Sequence, residues 1–437
     1  MIRIFIACSF LWVSFSVSTF AADPPPNIVM LIGDDQGWKD YGFMGSKVVS
    51  TPHLDRLAKE SLLFKRGYVP TSLCRASLAT MITGQYPHQH KITSNDPPLP
   101  KGVGQGPAMK NPVYLKMREE MAAYMEKADT LPKLLGKQGF SSYQAGKWWE
   151  ANACRCGGFS EGMTHGDPAK GGRHGDVGLK IGREGIEPVK KFIDASIQAK
   201  TPFYVWYAPM MPHTPHNPPE RLLAKYRNKH KSIHVAKYYA MCEWFDETIG
   251  EMLQVLDEKG VSKNTIIVYL HDNGWIQDEN RAAYAPKSKR SQYDGGTRTP
   301  IMIRWPGKVT PGESDTLANS VDLFPTLLHA LGQTPPKNLP GINLLDENSR
   351  RSRTSTFGEI FEHNAVDIHN PAANLQYRWV IHGNWKLIVP NKVLVPTGVL
   401  ELYDLSKDAD ETKNLANENP VKCEELMKEL NAWWDGK

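Results

Sequence analysis

NIVMLIGDD, at residues 27–35, joins an apolar run to a turn that carries two adjacent aspartates. A short apolar run of this kind is typical of a strand that is buried on both faces of a sheet. In open α/β sheets, ligands bind outside the carboxyl ends of such strands. The carboxylates of Asp34 and Asp35 repel each other unless a cation or a proton separates them, which favours a hard metal ion. Taken alone, the same pair would also suit a solvated turn.

A second apolar run, TIIVYL at residues 265–270, is also followed by oxygen-bearing side chains. If the ends of the two strands meet, one site receives three carboxylates and an amide oxygen, from Asp34, Asp35, Asp272 and Asn273. This ligand set suits calcium and is poor for zinc. The sequence therefore predicts a calcium site, in which magnesium is also possible.

Two further predicted strands, at residues 140–145 and 203–207, are followed by side chains that can bind an anion. Lys147 comes soon after the first strand. His213 follows the second strand in a loop whose prolines predict a rigid, non-helical backbone. A single lysine or histidine is usually a surface or structural residue, but a stiffly held histidine past a strand end is also a candidate for proton transfer.

SLCRASLATMITG, at residues 72–84, contains the side chain around which we expect the site to be organised. Cys74 follows residues that suit a loop and precedes residues that suit a helix ending near Gly84. At a helix N-terminus, unpaired backbone N–H groups and the helix dipole favour a bound anion or a developing negative charge. An isolated cysteine on such a helix can equally be an ordinary buried residue.

The composition and the N-terminal segment limit the classes to which this protein can belong. The chain has 437 residues, of which 41% are hydrophobic and 23% charged, so it can bury a large core. The net charge of +5 is spread along the chain, which permits an anionic substrate and gives no basic stripe for nucleic acid. An apolar run at residues 4–17 and a small-x-small site at residues 19–21 predict a signal peptide. No later stretch is apolar and long enough for a membrane span, so we expect a periplasmic or secreted protein.

The predicted organisation has three segments: a signal peptide at residues 1–21, a catalytic domain at 22–350 and a smaller α+β domain at 351–437. Periodicity and capping residues predict the remaining elements. The predicted helices are 52–61, 130–138, 235–259, 320–331 and 421–434. The additional predicted strands are 64–69, 301–305, 378–381, 385–389 and 400–404. Residues 154–185, rich in Gly, His, Asp and Arg, predict a long substrate-facing loop.

The cysteines do not predict a zinc site. Removal of the signal peptide would leave five cysteines, so at least one has no intrachain partner. Cys154 and Cys156 have no second pair at the spacing that zinc ligands use.

Together, these motifs resemble the formylglycine-dependent sulfatases, arylsulfatase-like members of the alkaline-phosphatase superfamily. The resemblance implies an α/β fold with a mixed central sheet flanked by helices, followed by a smaller C-terminal α+β domain. It covers nearly the whole predicted mature chain. It rests on residues 28–40, 74–88, 146–148, 208–219, 272–274, 289–300, 402–405 and 414–415.

In that family, the cysteine that corresponds to Cys74 is converted to formylglycine by a formylglycine-generating enzyme. The hydrated aldehyde carries two hydroxyls, of which one attacks the sulfur of a sulfate ester and the other releases sulfate. The resemblance implies that Lys147, His213 and Lys289 hold sulfate oxygens, with His213 or Lys289 protonating the leaving oxygen. The implied calcium ligands are Asp34, Asp35, Asp272 and Asn273.

The sequence differs from the family's usual motifs at two places. The family commonly reads Cys-x-Pro-Ser-Arg or Cys-x-Ala-Ser-Arg, and here Leu78 stands in the place of the arginine, while Arg75 directly follows Cys74. The family also commonly reads Gly-Lys-Trp-His, and here Trp149 stands in the place of the histidine.

The resulting hypothesis is an exported hydrolase of sulfate esters on a sulfated carbohydrate. A phosphodiesterase or phosphonate hydrolase on the same fold is an alternative, although the two-zinc enzymes usually carry Asp-His where this chain has Asp272 and Asn273. A non-catalytic binder of sulfated glycans is a second alternative. An unmodified Cys74 would leave either this binder or a thiol-based esterase.

Overall fold

The computed structural model describes residues 24–166 and 172–437, and the predicted signal peptide at residues 1–21 lies outside them. The strands are β1 (Asn27–Gly33), β2 (Leu62–Phe64), β3 (Gly67–Tyr68), β4 (Ser141–Gly146), β5 (Glu161–Gly162), β6 (Phe203–Ala208), β7 (Thr265–His271), β8 (Ile301–Arg304), β9 (Gly312–Ser314), β10 (Ala318–Asn319), β11 (Ser355–Phe361), β12 (Leu375–His382), β13 (Trp385–Pro390) and β14 (Glu401–Asp404).

The α-helices are α1 (Pro52–Lys59), α2 (Cys74–Thr83), α3 (Pro87–His90), α4 (Gln105–Ala108), α5 (Pro112–Lys127), α6 (Leu131–Gly136), α7 (Glu187–Gln198), α8 (Glu220–Tyr226), α9 (Ile233–Glu258), α10 (Asp294–Thr297), α11 (Leu323–Ala330), α12 (Glu347–Ser352) and α13 (Pro420–Trp433). Short 3-10 helices occur at Gly42–Met44, Asp176–Lys180, Ser262–Asn264, Ser320–Asp322 and Pro371–Asn374, and Ala153–Gly157 forms a π-helical turn. Within the described residues, none of the helices is both long and apolar enough to cross a membrane.

The central sheet is mixed and has the strand order β5-β4-β6-β1-β7-β8-β2-β9. β1 lies between β6 and β7 and runs parallel to both. β4 is parallel to β6, whereas β8 is antiparallel to β7 and β2. The carboxyl ends of β1, β4, β6 and β7 therefore lie at one edge of the sheet, as the polar residues at their ends predict.

Helices cover both faces of this sheet. Ile28 and Met30 of β1 belong to one buried cluster together with Met81 of α2. The alternate residue Val29 belongs to the opposite cluster, with Phe245 of α9. Because successive side chains of a strand point to opposite faces, the uninterrupted apolar run fills both cores. The predicted α/β fold is confirmed.

The C-terminal part is a four-stranded antiparallel sheet in the order β11-β12-β13-β14. Val380 and Leu387 lie on the face that packs against α13. Trp379 and Ile388 pack on the other face against Tyr68 of the larger part. The smaller α+β element is therefore confirmed, whereas the boundary between residues 350 and 351 stays a prediction.

Some predicted elements differ from the structure. The strand predicted at residues 64–69 is two strands, because the chain turns at Lys65 and Arg66, so that β2 joins the central sheet and β3 pairs with β10. The helices α5, α7 and α8 and the strand β11 were not predicted. The segment predicted as a loop at residues 154–185 contains β5 and short helical turns.

Candidate active site

The structure brings together all eight side chains that the sequence predicts for the site. Three strand ends supply five of them: Asp34 and Asp35 follow β1, Lys147 follows β4, and Asp272 and Asn273 follow β7. The loop after β6 supplies His213, the first turn of α2 supplies Cys74, and the segment before α10 supplies Lys289. Each of the eight contacts at least one other member, and the Asp35 N–H, which donates to Oδ1 of Asp272 at 3.3 Å, joins the two halves into one network.

Backbone hydrogen bonds hold these strand ends in register. The Asp34 N–H donates to the carbonyl of Met211 at 2.9 Å, and the Asp272 N–H donates to the carbonyl of Gly33 at 2.9 Å. The Lys147 N–H donates to the carbonyl of Ala208 at 2.6 Å. The side chains that converge are therefore carried by the ordered edge of the sheet, and their positions follow from the strand pairing.

Lys147 joins two of the carboxylates. Its Nζ donates to both oxygens of Asp34 at 2.7 Å and lies 3.3 Å from Oδ2 of Asp272. All three side chains are buried. Burial raises the pKa of Asp34 and raises the pKa of Asp272 to about 7, and Lys147 opposes both changes.

Asp35 contacts three other residues of the site, namely Lys289, His213 and Asn273. Its Oδ2 accepts from Nζ of Lys289 at 2.8 Å and lies 3.3 Å from Nε2 of His213, while its Oδ1 accepts from Nδ2 of Asn273 at 2.6 Å. Its backbone is left-handed, with a φ of 63°, a conformation that aspartate adopts more readily than most residues. Burial alone would raise the pKa of Asp35, but Lys289 and His213 lower it overall, so this carboxylate is ionised.

The acidic centre has the chemistry of a cation site. One oxygen each from Asp34, Asp35 and Asp272 and the sulfur of Cys74 all lie within 4.8 Å of one another. Three buried carboxylates face two ammonium groups here, so one negative charge is not matched by a neighbouring ammonium group. Hard oxygen donors in this number fit calcium or magnesium. The donor set therefore fits the divalent cation that the sequence predicts.

Cys74 is the first residue of α2 and points into this centre. Its Sγ lies 3.4 Å from Oδ1 of Asn273, and the residue is 2% exposed. Burial raises the pKa of the thiol to about 12, although Lys147 and Lys289 lower it. A cysteine left as it stands would be a neutral thiol at physiological pH, and it is the thiolate that acts as a nucleophile. Without a bound cation, the thiol of Cys74 is therefore a poor nucleophile.

The two departures from the family motifs have structural explanations. Leu78 packs in the apolar core around α2. Arg75 forms a bidentate ion pair with Glu150, with Nε to Oε1 at 2.7 Å and Nη2 to Oε2 at 2.6 Å, and both residues are buried. Arg75 thus ties the start of α2 to the segment that follows Lys147, and its guanidinium is occupied by Glu150.

Trp149 lies in the wall of the cleft that contains Cys74, and its ring is buried. His174, from the predicted substrate-facing segment, lies with its ring centroid 5.0 Å from that of Trp149. An imidazole from a distant part of the sequence therefore lies beside the position where the family motif carries its histidine. Burial lowers the pKa of His174 to about 2, so this ring is neutral.

Sequence reasoning missed several residues of the cleft, whose volume is about 290 Å³. Its wall includes Arg173, His174, Arg290 and His363 besides residues of the acidic centre. The run Gly-Gly-Arg-His-Gly-Asp at residues 171–176 was a usable signal for the first two, because such a run has no apolar periodicity and carries ligand-type side chains. Arg290 directly follows Lys289, but no pattern distinguished it.

A mixed α/β sheet with carboxylates, lysines and a helix-start cysteine at its carboxyl edge is the arrangement that the resemblance to the alkaline-phosphatase superfamily implies. The model of the Sulfatase family matches residues 26–333, and the model described as "N-sulphoglucosamine sulphohydrolase, C-terminal" matches residues 284–434. The chain therefore belongs to the sulfatase family, a family of sulfuric ester hydrolases.

Individual relatives agree with this assignment. The N-acetylgalactosamine-6-sulfatase of Homo sapiens is 28% identical over 362 residues, which is 74% of this chain and 66% of that protein, so the match spans about two thirds of the relative. A sulfatase of Formosa agariphila is 25% identical over 500 residues, covering 94% of this chain and 89% of its own length. Among solved structures, Ps i-CgsB in complex with k-i-k-neocarrahexaose has a TM-score of 0.72 at 22% identity, with 94% of both chains covered.

Proposed function

We propose that this protein is an exported hydrolase of sulfate esters that acts on a sulfated carbohydrate, using formylglycine formed from Cys74 and a calcium ion. The observation that carries the proposal is the position of Cys74 Sγ, which lies among three buried carboxylates at a helix N-terminus. Lys147 and Lys289 belong to the same cluster. A nucleophile with cations and a metal site around it suits an anionic ester.

Asp34, Asp35, Asp272 and Asn273 would hold the calcium ion. Bound there, calcium would supply Lewis-acid charge to the nucleophile and to sulfate oxygens. Lys147 and Lys289 each contact carboxylates of this ligand set. A sulfate bound beside the calcium ion would therefore lie close to both ammonium groups. In this proposal both lysines hold sulfate oxygens by charge-assisted hydrogen bonds.

Formylglycine at residue 74 would supply a hydrated aldehyde whose two hydroxyls serve attack and release. Lys289 and His213 are the two candidates for protonating the leaving oxygen. Burial would lower the pKa of Lys289, but Asp35 raises it overall, so Lys289 keeps its proton at neutral pH. Burial lowers the pKa of His213 to about 3, so His213 can donate a proton only if the bound anion raises that pKa.

The substrate class follows from the cleft and is supported by the relatives. The cleft is open enough for part of a saccharide, and it has polar walls, since it includes two histidines and two arginines beyond the acidic centre. One matched relative is named N-acetylgalactosamine-6-sulfatase, and one similar solved structure is a complex with k-i-k-neocarrahexaose. These relatives favour a sulfated glycan over a small aryl sulfate as the natural substrate.

The proposal includes the predicted location and maturation. We place the mature chain in the periplasm or outside the cell, with a catalytic domain at residues 22–350 and the smaller domain at 351–437. A formylglycine-generating enzyme is then a required partner. N-terminal sequencing of the protein from its native host should find Ala22 as the first residue, and a chain that still starts at Met1 would contradict export by this route.

Mass spectrometry of the tryptic peptide of residues 67–75 tests the central claim, using protein from the native host treated with a thiol-alkylating reagent. We expect the mass of formylglycine at position 74 and turnover of sulfate esters in a panel of matched sulfate and phosphate esters. An alkylated thiol at position 74 together with no sulfate ester turnover would overturn the proposal. Preferential turnover of phosphate or phosphonate esters would instead support the alternative hydrolase.

A further inference from the structure

The cleft that contains Cys74 has a second group of basic side chains, which we call the basic rim: Arg173, His174, Arg290 and His363. They come from three distant parts of the chain, namely the segment before Asp176–Lys180, the segment before α10 and the loop after β11. Within residues 24–166 and 172–437, none of them hydrogen-bonds or forms an ion pair with the carboxylates of the acidic centre. The rim is therefore a separate feature of the same cleft.

Arg290 supplies positive charge to the wall of the cleft. Its backbone N–H donates to the carbonyl of Ser72 at 3.2 Å, which fixes it beside the loop that leads into Cys74. Its side chain is exposed, and within residues 24–166 and 172–437 no carboxylate lies within ion-pair distance of it. A guanidinium has five N–H donors, so this one can bind an anion without first breaking an ion pair.

Arg173 is held in place but remains only partly neutralised. Its guanidinium lies over the ring of Trp149, 4.7 Å from the centroid, and it pairs with both carboxylate oxygens of Asp96: Nη2 donates to Oδ2, and Nε donates to Oδ1 at 3.2 Å. The same oxygen of Asp96 accepts from Nη1 of Arg118 at 2.8 Å. Arg173 and Arg118 therefore share the single carboxylate of Asp96, which carries one negative charge against their two positive charges.

His363 offers a hydrogen-bond acceptor beside these charges. Nδ2 of Asn364 donates to the carbonyl of Pro97 at 3.2 Å and to Oε1 of Gln105 at 3.3 Å, so Oδ1 of Asn364 is the acceptor for Nδ1 of His363 at 2.8 Å. Nε2 of the neutral ring is then an acceptor. An acceptor next to two cations matches a sugar hydroxyl next to an anionic substituent.

We propose that Arg173 and Arg290 bind a second anionic group of the saccharide, a sulfate or a carboxylate, while the scissile sulfate lies at residue 74. This inference rests on the proposed function and names its substrate class: saccharides with at least two anionic groups. Bidentate binding of carboxylate or sulfate by guanidinium adds both energy and orientation. Esters with a single anionic group lack this contact.

The test compares matured full-length protein with the variants Arg290→Gln and Arg290→Lys. Arg351→Gln is the matched control, because Arg351 is an exposed arginine of α12 that does not line the cleft. The substrates are disaccharides with one sulfate and no other charge, with one sulfate and one carboxylate, and with two sulfates. We expect Arg290→Gln to reduce the ratio of kcat/KM for doubly to singly anionic disaccharides about 10-fold, the loss of one charge-assisted hydrogen bond.

We expect Arg290→Lys to restore part of this ratio and Arg351→Gln to leave it as in the parent protein. Comparison of the carboxylate and sulfate disaccharides shows which anion the rim prefers. An unchanged ratio in Arg290→Gln for both would overturn the inference.

A binding measurement separates this inference from the proposed function. Calorimetry with Cys74→Ala, which cannot form formylglycine, should show tighter binding of the disulfated than of the monosulfated disaccharide, and addition of Arg290→Gln should remove most of the difference. If the parent protein hydrolyses no sulfate ester, the proposed function fails while calorimetry still decides whether the rim binds a second anion. Equal affinities for the two disaccharides would show that the basic rim does not bind a second anionic group.

Discussion

Two buried ion clusters in this protein have similar composition and different surroundings. The acidic centre combines three aspartates with Lys147 and Lys289 at the edge of a cleft. The second cluster lies between the C-terminal sheet and the larger part of the molecule, where Nζ of Lys386 contacts Asp294 at 2.9 Å and Glu411 at 2.8 Å. All of these charged groups are buried or nearly so.

The difference is in what completes each cluster. Asp294 also accepts from the hydroxyl of Tyr68 at 3.3 Å and lies 3.6 Å from Arg298, and its backbone N–H donates to Glu411 at 2.6 Å. Protein groups from several elements therefore surround the second cluster. The acidic centre keeps carboxylate oxygens close together with a cysteine among them and a cleft beside them. Removing one partner from a buried cluster whose charges are all paired destabilises the fold, whereas a cluster with an unmatched charge beside a cleft can bind a ligand.

The largest expected effect is that of Asp272→Ala, which removes one of the three carboxylates of the acidic centre. This change removes a carboxylate from the proposed calcium site and a partner from Lys147, so we expect kcat to fall by about 10³-fold or more. We also expect the rise in Tm that calcium produces in the parent protein to disappear. Assays of sulfate ester turnover and thermal unfolding with and without calcium measure both.

Asp194→Ala is the matched control, since Asp194 is a half-exposed aspartate of α7 paired with Lys259 on the surface. It should retain turnover and the calcium response. Unchanged activity in Asp272→Ala would contradict the assignment of Asp272 to the metal site.

The second largest effect is expected at the completed cluster, with Lys386→Met. Removal of the lysine leaves Asp294 and Glu411 buried without their shared cation, which should lower the free energy of unfolding by about 3–5 kcal/mol. The protein that remains folded should still respond to calcium, because the acidic centre is untouched. Denaturant unfolding followed by fluorescence measures the loss.

Lys39→Met removes an exposed lysine from its pair with Asp410 and serves as the control for Lys386→Met. We expect that control to cost about 0–1 kcal/mol. Equal losses in the two variants would show that the buried pair does not stabilise the interface between the two sheets.

The smallest expected effect is a pH dependence of thermal stability that arises from Glu411 in the second cluster. Burial raises the pKa of Glu411 to about 7, from 4.5 in the unfolded chain, although Lys386 opposes this. Its contribution to stability is therefore complete below pH 4.5 and is lost as the pH rises through 7. We expect Glu411→Gln to flatten the decline in Tm between pH 5 and pH 8, by a few degrees at most. A parallel decline in both proteins would contradict this assignment.

The sequence predicted the acidic centre better than the surroundings of the site. Apolar runs such as residues 265–270 identify strands buried on both faces, and the polar residues that follow them must then meet at one edge of the sheet. Predicted helices such as residues 235–259 agree with α9 to within two residues. The local sequence pattern was sufficient to predict an element and its site residue wherever a clear apolar periodicity and the functional residue belonged to the same element.

Elements with mixed periodicity were missed for physical reasons. In α5 the buried residues are few, including Tyr114, Met121 and Met125, and charged residues surround them, so no continuous apolar stripe marks the helix. The basic rim as a whole could not be predicted: the run at residues 171–176 pointed to Arg173 and His174, but no pattern places Arg290 and His363 in the same cleft. The pair of Arg75 with Glu150 is likewise invisible without the fold, since 75 positions separate the two residues.

The burial of Cys74 has a consequence for the order of events in the cell. With 2% of its surface exposed, Cys74 is closed to any second protein once the fold is complete. An enzyme that converts it must therefore act while the chain is still open. The contact of Cys74 with Asn273 spans 199 positions, and contacts between distant parts of a chain form slowly. If Cys74 is converted as proposed, the long-range topology that assembles the site also sets the time available for the conversion, and faster folding would yield more protein with an unconverted cysteine.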